Sequence, residues 1–428
     1  MAERRAPAAD PPGVAARRAA LRVLDGVLRR GEALEVALGP ATRGLDRADD
    51  RGLVHALAAA VLRWMVDLDA LIDSATARAL PDDAKARMAL RLALAQALVL
   101  GTPGHAAIAT VLPLVDGGPR KLVHGVFGTL MRRPVALPEV PTLPAPVAAR
   151  WQAAWGAAMV AGAERALAAP PPLDLTLADA GQTEALAARL HGVSLMPGHL
   201  RLAEHGGVPE IEGFGEGGWW VQDLAASLPA RLIGGGEGRA IDVCAAPGGK
   251  TMQLAAAGWH VTAIDIAESR LARLSENLGR TGLSAEIVTA DALKWSPPAP
   301  ADAVLLDAPC SATGIFRRHP DVLYRAHPRL IGEMVALQTR LLNRVANWVR
   351  PGGVLVYATC SLEPEEGERQ LERFLAAHAN FTLDPVLPDE LPDGVPATRQ
   401  GWLRTFPQQI ADKGGLDGFF AARMIRTG

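Results

Sequence analysis

Three cysteines occur in the 428 residues, Cys244, Cys310 and Cys360, and each lies at or just after an aliphatic run. A thiol inside an apolar run is usually a small buried hydrophobe, which suits Cys244 in AIDVCAA. Cys310 in LLDAPCSATG and Cys360 in YATCS open instead onto polar turns. Acids gather at the same kind of place. Asp242, Asp265, Asp291 and Asp307 close or follow such runs in DVCAA, VTAID, TADAL and LLDAP. Two thiols beside an acid suit methylation at C5 of a pyrimidine. A thiolate adding at C6 turns a poorly nucleophilic ring into an enamine. The charge pushed into the ring calls for a donor near N3 and N4, a role open to Asp307. A base must then remove the C5 proton so that the thiol can leave, and Cys310, or a water it holds, can assist. The target base must be unpaired or flipped out.

The methyl donor has its own signature. Asp242-Val243-Cys244-Ala245-Ala246-Pro247-Gly248-Gly249-Lys250-Thr251 reads as a strand end, a tight turn and a helix beginning at Lys250 or Thr251. Adjacent glycines let the backbone approach a ligand. Asp265, 17 residues after Gly248, is placed to accept both hydroxyls of a ribose, and Asp291 to meet an adenine amino group. The turn lacks the GxGxxG spacing that seats a pyrophosphate, which disfavours a dinucleotide. The expected ligand is S-adenosylmethionine, and no metal site is expected.

These residues need a scaffold. Short aliphatic runs at 240–246, 260–265, 284–290, 301–307 and 353–359 predict strands, with helix-like spans at 267–279 and 330–349. Alternation of this kind predicts an α/β, Rossmann-like core with a parallel sheet covered on both faces, and ligands beyond the carboxyl ends of its strands. Residues 14–133 instead read as helix after helix, with further stretches at 50–64, 66–78, 83–101, 105–115 and 119–132. Val14, Leu21, Leu24 and Leu28 share one face of the first helix, and Arg18, Arg22 and Arg29 share another. The connector RRPVALPEVPTLPAP marks a boundary. Helical pieces follow near 145–168 and 181–191, and 192–232 shows no clear period. The expected modules are therefore 1–135 (all-α), 136–232 (intermediate) and 233–428 (catalytic).

Composition narrows the class. With 49% hydrophobic and 21% charged residues the chain is expected to be globular rather than disordered. Its apolar runs are far shorter than a membrane span. MAERRAPAADPPG carries two arginines with no apolar stretch behind them, so no secretory signal is expected. Three cysteines exclude a disulfide scaffold and fit a reducing cytoplasm. The net charge of −2 hides a gradient: residues 1–140 hold 19 Lys and Arg against 15 Asp and Glu, and the rest hold 25 against 31. A mildly basic front fits an anionic partner, and equally fits a coding bias toward Arg and Ala.

DVCAAPGGKT, LLDAPCSATGIFRRHPD and YATCS resemble the signature segments of the Nop/Sun family of RNA cytosine-5 methyltransferases, most closely its bacterial Sun-type (RsmB-like) ribosomal RNA enzymes. The likeness extends over nearly the whole chain: a NusB-like helical front, WWVQDLAAS at 219–227, and LDGFFAARM at 416–424. It implies an S-adenosylmethionine-dependent methyltransferase acting on ribosomal RNA, a cytoplasmic monomer with no membrane partner.

By the resemblance Cys360 is the nucleophile and Cys310 the thiol that aids release, whereas spacing alone leaves the two tied. It places Cys244, Ala245, Ala246, Pro247, Gly248, Gly249 and Lys250, with Asp265, Asp291 and Asp307, around the cofactor. Lys250 would also steady Asp307 or the target base, and Arg270 in ESRL matches a recurrent arginine. For RNA, the expected contacts are Arg18, Arg22 and Arg29 with Arg132 and Arg133, and Arg317, Arg318 and His319 beside the target base.

Two segments depart from the family pattern. PPPLDLTLAD offers Thr176 and Ala178 where relatives carry an Arg and an Asn, and residues 124–128 read HGVFG where relatives carry a basic "NGVLR"-like helix. Three rival readings explain less. A purely RNA-binding protein leaves the two thiols and the cofactor turn without a purpose. An amino-group methyltransferase usually has an Asn/Asp-Pro-Pro-aromatic turn where this chain has Asp307-Ala308-Pro309-Cys310, and needs no thiol. A nicotinamide dehydrogenase needs the phosphate-binding turn that is missing.

Overall fold

The computed structural model describes residues 12–203 and 206–428. The segment in which no secretory signal is expected lies outside the described residues up to position 11. Two compact units form: residues up to Arg150 with Leu167–Ala169 and Arg318–Arg325, and the remainder from Trp151 onward.

The first unit is built on α1 (Val14–Arg30), α2 (Leu34–Ala41), α3 (Ala48–Ser74), α4 (Lys85–Leu98), α5 (Gly104–Val111) and α6 (Gly117–Met131). The sequence predicts two helices over 50–78. They are one 27-residue helix, because Arg63-Trp64-Met65-Val66 at the expected junction offers no glycine, proline or capping residue to interrupt it. Helix α4 is buried along most of its length, from Ala86 to Gln96 apart from Met88. Its two arginines face α3, where Arg91 grips Asp69 at 2.7 and 2.6 Å and Arg87 reaches Asp69 at 3.1 Å and also Asp73. Removing Asp69, the partner the two arginines share, would leave Arg91 without its close counter-charge and destabilise the pairing of α3 with α4.

The second unit begins within α7 (Ala145–Trp155), which α8 (Ala157–Leu167) follows after a break at Gly156, a residue with φ +84°. The predicted helix over 145–168 is thus two. Next come β1 (Leu173–Leu177), α9 (Thr183–Leu190), β2 (His199–Leu202) and β3 (Trp219–Val221), whose strands form an antiparallel sheet in the order β2-β1-β3. Strands β2 and β3, with α10 (Leu224–Arg231), fall in the stretch that shows no period in the sequence.

The main sheet uses β4 (Arg239–Val243), β5 (His260–Asp265), β6 (Glu286–Thr289), β7 (Ala301–Asp307), β8 (Val349–Thr359), β9 (Phe381–Asp384), β10 (Leu403–Arg404) and β11 (Phe420–Arg426). Its order is β10-β11-β8-β7-β4-β5-β6, with β9 also on β11. Strands β4 to β8 run parallel and β11 antiparallel to β8. The helices are α11 (Gly249–Ala256), α12 (Glu268–Thr281), α13 (Val322–Arg325), α14 (Pro328–Val345) and α15 (Glu368–Ala377).

Strand residues alternate between two cores. Ile241, Val243, Val304, Leu306, Leu355 and Tyr357 pack with Leu341 and Leu342 of α14 and Phe374 of α15. Ala240, Ala303, Leu305, Val356 and Ala358 pack with Leu224 and Leu228 of α10 and Leu254 of α11. Both faces are covered, so the strand ends are left as the place where polar groups collect.

Helix α13 lies in the segment that folds with the first unit. There Asp321 accepts from the Leu34 amide at 3.2 Å, and the Tyr324 hydroxyl donates to Leu62 O at 2.8 Å.

Candidate active site

Strand β4 ends at Val243, and Cys244 takes φ +64°, a left-handed conformation that a side chain adopts only under constraint. The chain then turns through Ala245–Pro247 to Gly248, the N-cap of α11 at φ +108°. A Cβ at Gly248 would meet Leu274 Cγ at 2.8 Å, so both the backbone angle and the close helix demand glycine. Helix α11 begins at Gly249, one or two residues before the sequence suggests.

Beside this turn is a cavity of about 340 Å³, within the roughly 300–1,000 Å³ of small-ligand sites. Cys244, Ala245, Ala246, Pro247, Gly249, Lys250 and Asp307 line it, as does Asp242. Asp242 is fully buried and accepts from Thr251 Oγ1 at 2.6 Å, while its Oδ1 has no partner among the described residues. Burial pushes its carboxyl up to about 7, against the Thr251 hydrogen bond. An unpartnered carboxyl oxygen at the wall of a cavity is what a polar group of a ligand would satisfy. The residues therefore fit an adenosyl-amino acid such as S-adenosylmethionine.

The other predicted cofactor residues surround the turn less directly. Asp265 is buried and accepts from the Ala246 amide at 3.3 Å, the Ala267 amide at 2.9 Å and Arg270 Nη2 at 2.7 Å. Arg270 is thus an ion-pair partner of Asp265 on an exposed helix surface. Asp291 caps its own turn by accepting from the Leu293 amide at 3.0 Å, and of the predicted cofactor residues Gly248, Asp265, Arg270 and Asp291 do not line the cavity. The WWVQD segment carries no site residue that its sequence alone singles out. Its Trp220, Gln222 and Asp223 nevertheless form part of the wall, with Asn277 and Arg280 of α12.

The carboxyl ends of β7 and β8 lead into the two predicted catalytic thiols. Their register pairs Asp307 with Ala358, so Pro309-Cys310 and Thr359-Cys360 leave the sheet side by side. The two sulfurs lie 3.4 Å apart. Hydrogen bonding to Cys360, followed by burial, raises the Cys310 thiol well above its ordinary value. Burial likewise raises Cys244, whose thiol is a wall of the cavity rather than part of this pair. Lys250 Nζ donates to Asp307 Oδ2 at 2.8 Å and lies 5.4 Å from the Phe419 ring centre. Burial opposes the Lys250 charge, but Asp307, Asp242 and Cys360 outweigh it and raise its pKa.

The loops are locked from below. Gly314 N donates to Cys360 O at 2.9 Å, and Gly418 N donates to Gly314 O at 2.8 Å. A Cβ at Gly314 would fall 1.8 Å from Gly418 O, so the LDGFF segment can approach only a glycine. Trp155 Nε1 donates to Leu362 O at 2.7 Å on the far side of Cys360-Ser361.

One predicted contact is corrected. Arg317 is only 2% exposed, donates to Gly414 O at 2.6 Å and lies 3.6 Å from Asp417. It is a buried brace, and a strand of RNA cannot reach it. His319 is partly buried, 3.9 Å from Glu35, and Arg318 is also engaged. Of the front arginines, Arg22, Arg29, Arg132 and Arg133 are exposed, with Arg29 3.3 Å from Asp25, while Arg18 is half-buried and engaged.

Comparison with known proteins finds two families along the chain. Residues 14–128 match the NusB family, and residues 234–425 match the family described as 16S rRNA methyltransferase RsmB/F. Ribosomal RNA small subunit methyltransferase B of Xylella fastidiosa (strain Temecula1) is 36% identical over 97% of this chain and 98% of its own. That of Erwinia tasmaniensis is 32% identical over 95% and 97%. The crystal structure of PH0851 covers 98% of this chain and 100% of its own, with a TM-score of 0.74 at 22% identity, a likeness in fold.

Proposed function

Because the chain belongs to the RsmB/F family of 16S rRNA methyltransferases, we propose that it methylates C5 of a cytosine in small-subunit ribosomal RNA through a covalent cysteine adduct at C6. S-adenosylmethionine is the cofactor and supplies an electrophilic methyl group on a sulfonium. Cys244 to Lys250 and Asp265 would hold it beside the ends of β4 and β5, with Asp242 offering its free oxygen. Asp291 and Arg270 complete the assignment, Arg270 by setting the orientation of Asp265.

The observation that carries the reading is the pair of sulfurs 3.4 Å apart on the two strand ends that follow the Lys250–Asp307 ion pair. Cys360 is the nucleophile. Its sulfur bonds to C6, and the ring's π electrons move toward N3, where Lys250 and Asp307 supply the compensating proton and charge. Once C5 carries the methyl group, its remaining proton is removed, the C5–C6 double bond re-forms, and the Cys360 sulfur departs with the bonding pair. Cys310, as its thiolate, or a water it holds accepts that C5 proton.

The helical unit would bind RNA phosphates through Arg22, Arg29, Arg132 and Arg133, with Arg18 and Arg318 in support, the chain acting as a cytoplasmic monomer. The working modules are 1–135, 136–232 and 233–428. No described helix is long and apolar enough to cross a membrane.

Mapping 5-methylcytosine in small-subunit RNA from cells with and without the protein tests the function. One cytosine is expected to lose its methyl group and to regain it with the intact chain but not with Cys360→Ser. An unchanged methylation map would overturn the reading.

A further inference from the structure

Each reactive thiol is followed by a serine, Cys310-Ser311 and Cys360-Ser361, and both serines converge on one buried carboxylate. Glu366 has no exposed surface. Its Oε1 accepts from the Ser311 amide at 2.8 Å and from Gln338 Nε2 at 3.1 Å. Its Oε2 accepts from Ser361 Oγ at 2.5 Å and from Ser311 Oγ. The two hydroxyls are 3.2 Å apart. Gln338 also donates to Pro309 O at 2.9 Å, so its amide holds the residue before Cys310 as well. Glu366 is itself anchored through its carbonyl, which accepts from the Tyr357 hydroxyl of β8 at 2.6 Å.

A buried carboxylate is a costly way to hold a fold, and well-packed apolar side chains often do as well or better. What a carboxylate offers is acceptors on both oxygens and no competing donor. Here each oxygen takes two donors, and three of those four come from the residues next to the two thiols. Ser361 Oγ, which donates to Glu366, in turn accepts from the Glu363 amide at 3.1 Å, so the direction of each hydrogen bond is set. Reactive groups must be held within about half an ångström of the productive geometry by such supporting bonds.

We propose that Glu366 is a positioning residue that clamps Ser311 and Ser361 and thereby holds the Cys310 and Cys360 sulfurs in register for the two halves of the reaction. The proposal rests on the two-thiol chemistry given above. Glu366 does not touch the substrate. It acts through the backbone of the two loops.

Glu366→Gln keeps the volume but turns one acceptor into a donor that faces donors. Two readouts separate positioning from bulk stability. The first is the rate at which diamide links Cys310 to Cys360, followed by peptide mass spectrometry without RNA or cofactor. Diamide takes two electrons and two protons from the thiols and becomes the hydrazine, so this rate reads sulfur geometry independently of methyl transfer. It is expected to fall at least tenfold. The second is single-turnover methylation, expected to fall about 100-fold, the scale of a 1 Å misplacement, with KM for RNA and cofactor affinity within threefold of wild type.

If Glu366→Gln does not fold, Ser361→Ala removes one arm of the clamp and leaves the carboxylate three donors. A smaller loss in the same two readouts is then expected. In either folded variant, an unchanged diamide rate would overturn the clamp. A slowed diamide rate with unchanged turnover would uphold the clamp and overturn the two-thiol reading beneath it.

Discussion

Lys250 Nζ donates to Asp307 Oδ2 at 2.8 Å, joining the first turn of α11 to the end of β7. The ammonium is almost wholly buried, and its charge is sustained by the acids around it rather than by water. The pair therefore behaves as one unit, a carboxylate with a proton donor fixed against it, and its Asp307 ends the strand that leads to Cys310, beside the end of β8 that leads to Cys360.

Asp307→Asn is expected to lower single-turnover methylation about 10²–10⁴-fold, the usual contribution of a positioned acid or base. Lys250→Met should cost a similar factor, and the double variant little more than either, because groups that act as a unit are not additive. Rapid-quench measurement of the three variants checks this. Losses that multiply would show that the two residues act separately.

Asp265→Ala should weaken S-adenosylmethionine binding by about 1.5–3 kcal/mol, the scale of a hydrogen bond to a charged group. Arg270 already occupies one oxygen of that carboxylate at 2.7 Å, so Arg270→Ala should change affinity far less. Titration calorimetry on both variants distinguishes them. An unchanged affinity in Asp265→Ala would remove this acid from the cofactor site.

Burial holds the Asp242 carboxyl at about 7, well above an ordinary aspartate. Between those two values the native state binds more protons than the unfolded chain, so Asp242 makes stability fall as pH rises through that window. A gap of this size is worth on the order of 4 kcal/mol. Asp242→Asn, which cannot ionise, should be relatively more stable at pH 7.5 than at pH 4.5 when urea unfolding is compared with wild type. An equal difference at the two pH values would contradict the buried, proton-holding state.

The exposed pair Arg132 and Arg133 should each contribute to phosphate binding. Changing both to Gln should make the log–log salt dependence of RNA affinity shallower by roughly 0.7–0.9 for each phosphate no longer neutralised. Arg317→Gln should instead lower folding stability, because it empties a buried brace against Gly414 and Asp417. Filter binding across a salt series, with thermal melts, separates the two. A steep salt slope retained in the Arg132/Arg133 variant would free those residues from any role with RNA.

Much of this arrangement is legible in the sequence, for identifiable reasons. The runs 260–265 and 301–307 coincide with β5 and β7, because a strand buried on both faces is a short, uninterrupted aliphatic stretch. The turn from Asp242 to Lys250 is legible because paired glycines and a strand-end acid are local signals. Strands β2 and β3 are not, being four and three residues long and defined by pairing with β1 rather than by any period of their own. Arg317 in FRRHPD looks like surface charge, and only its meeting with Gly414 and Asp417, far along the chain, buries it. Glu366 stands among the glutamates of EPEEGE with nothing to single it out. The repeated Cys-Ser is the one local hint that both thiol loops share an anchor.

The central claim is the division of labour between two sulfurs 3.4 Å apart, and covalent trapping tests it most directly. Purified Cys360→Ser and Cys310→Ala are each incubated with S-adenosylmethionine and substrate RNA, then run on a denaturing gel. Serine stays protonated at neutral pH and is a far weaker nucleophile, so Cys360→Ser should bind cofactor normally, turn over nothing and form no adduct. Cys310→Ala should add and transfer the methyl group but stall before release, giving a slow-migrating protein–RNA band. A Pro-Cys turn after this strand is also where DNA cytosine-5 enzymes keep their nucleophile, so the opposite assignment is chemically sound and predicts the reverse. A stalled band in Cys360→Ser with none in Cys310→Ala would contradict Cys360 as the nucleophile.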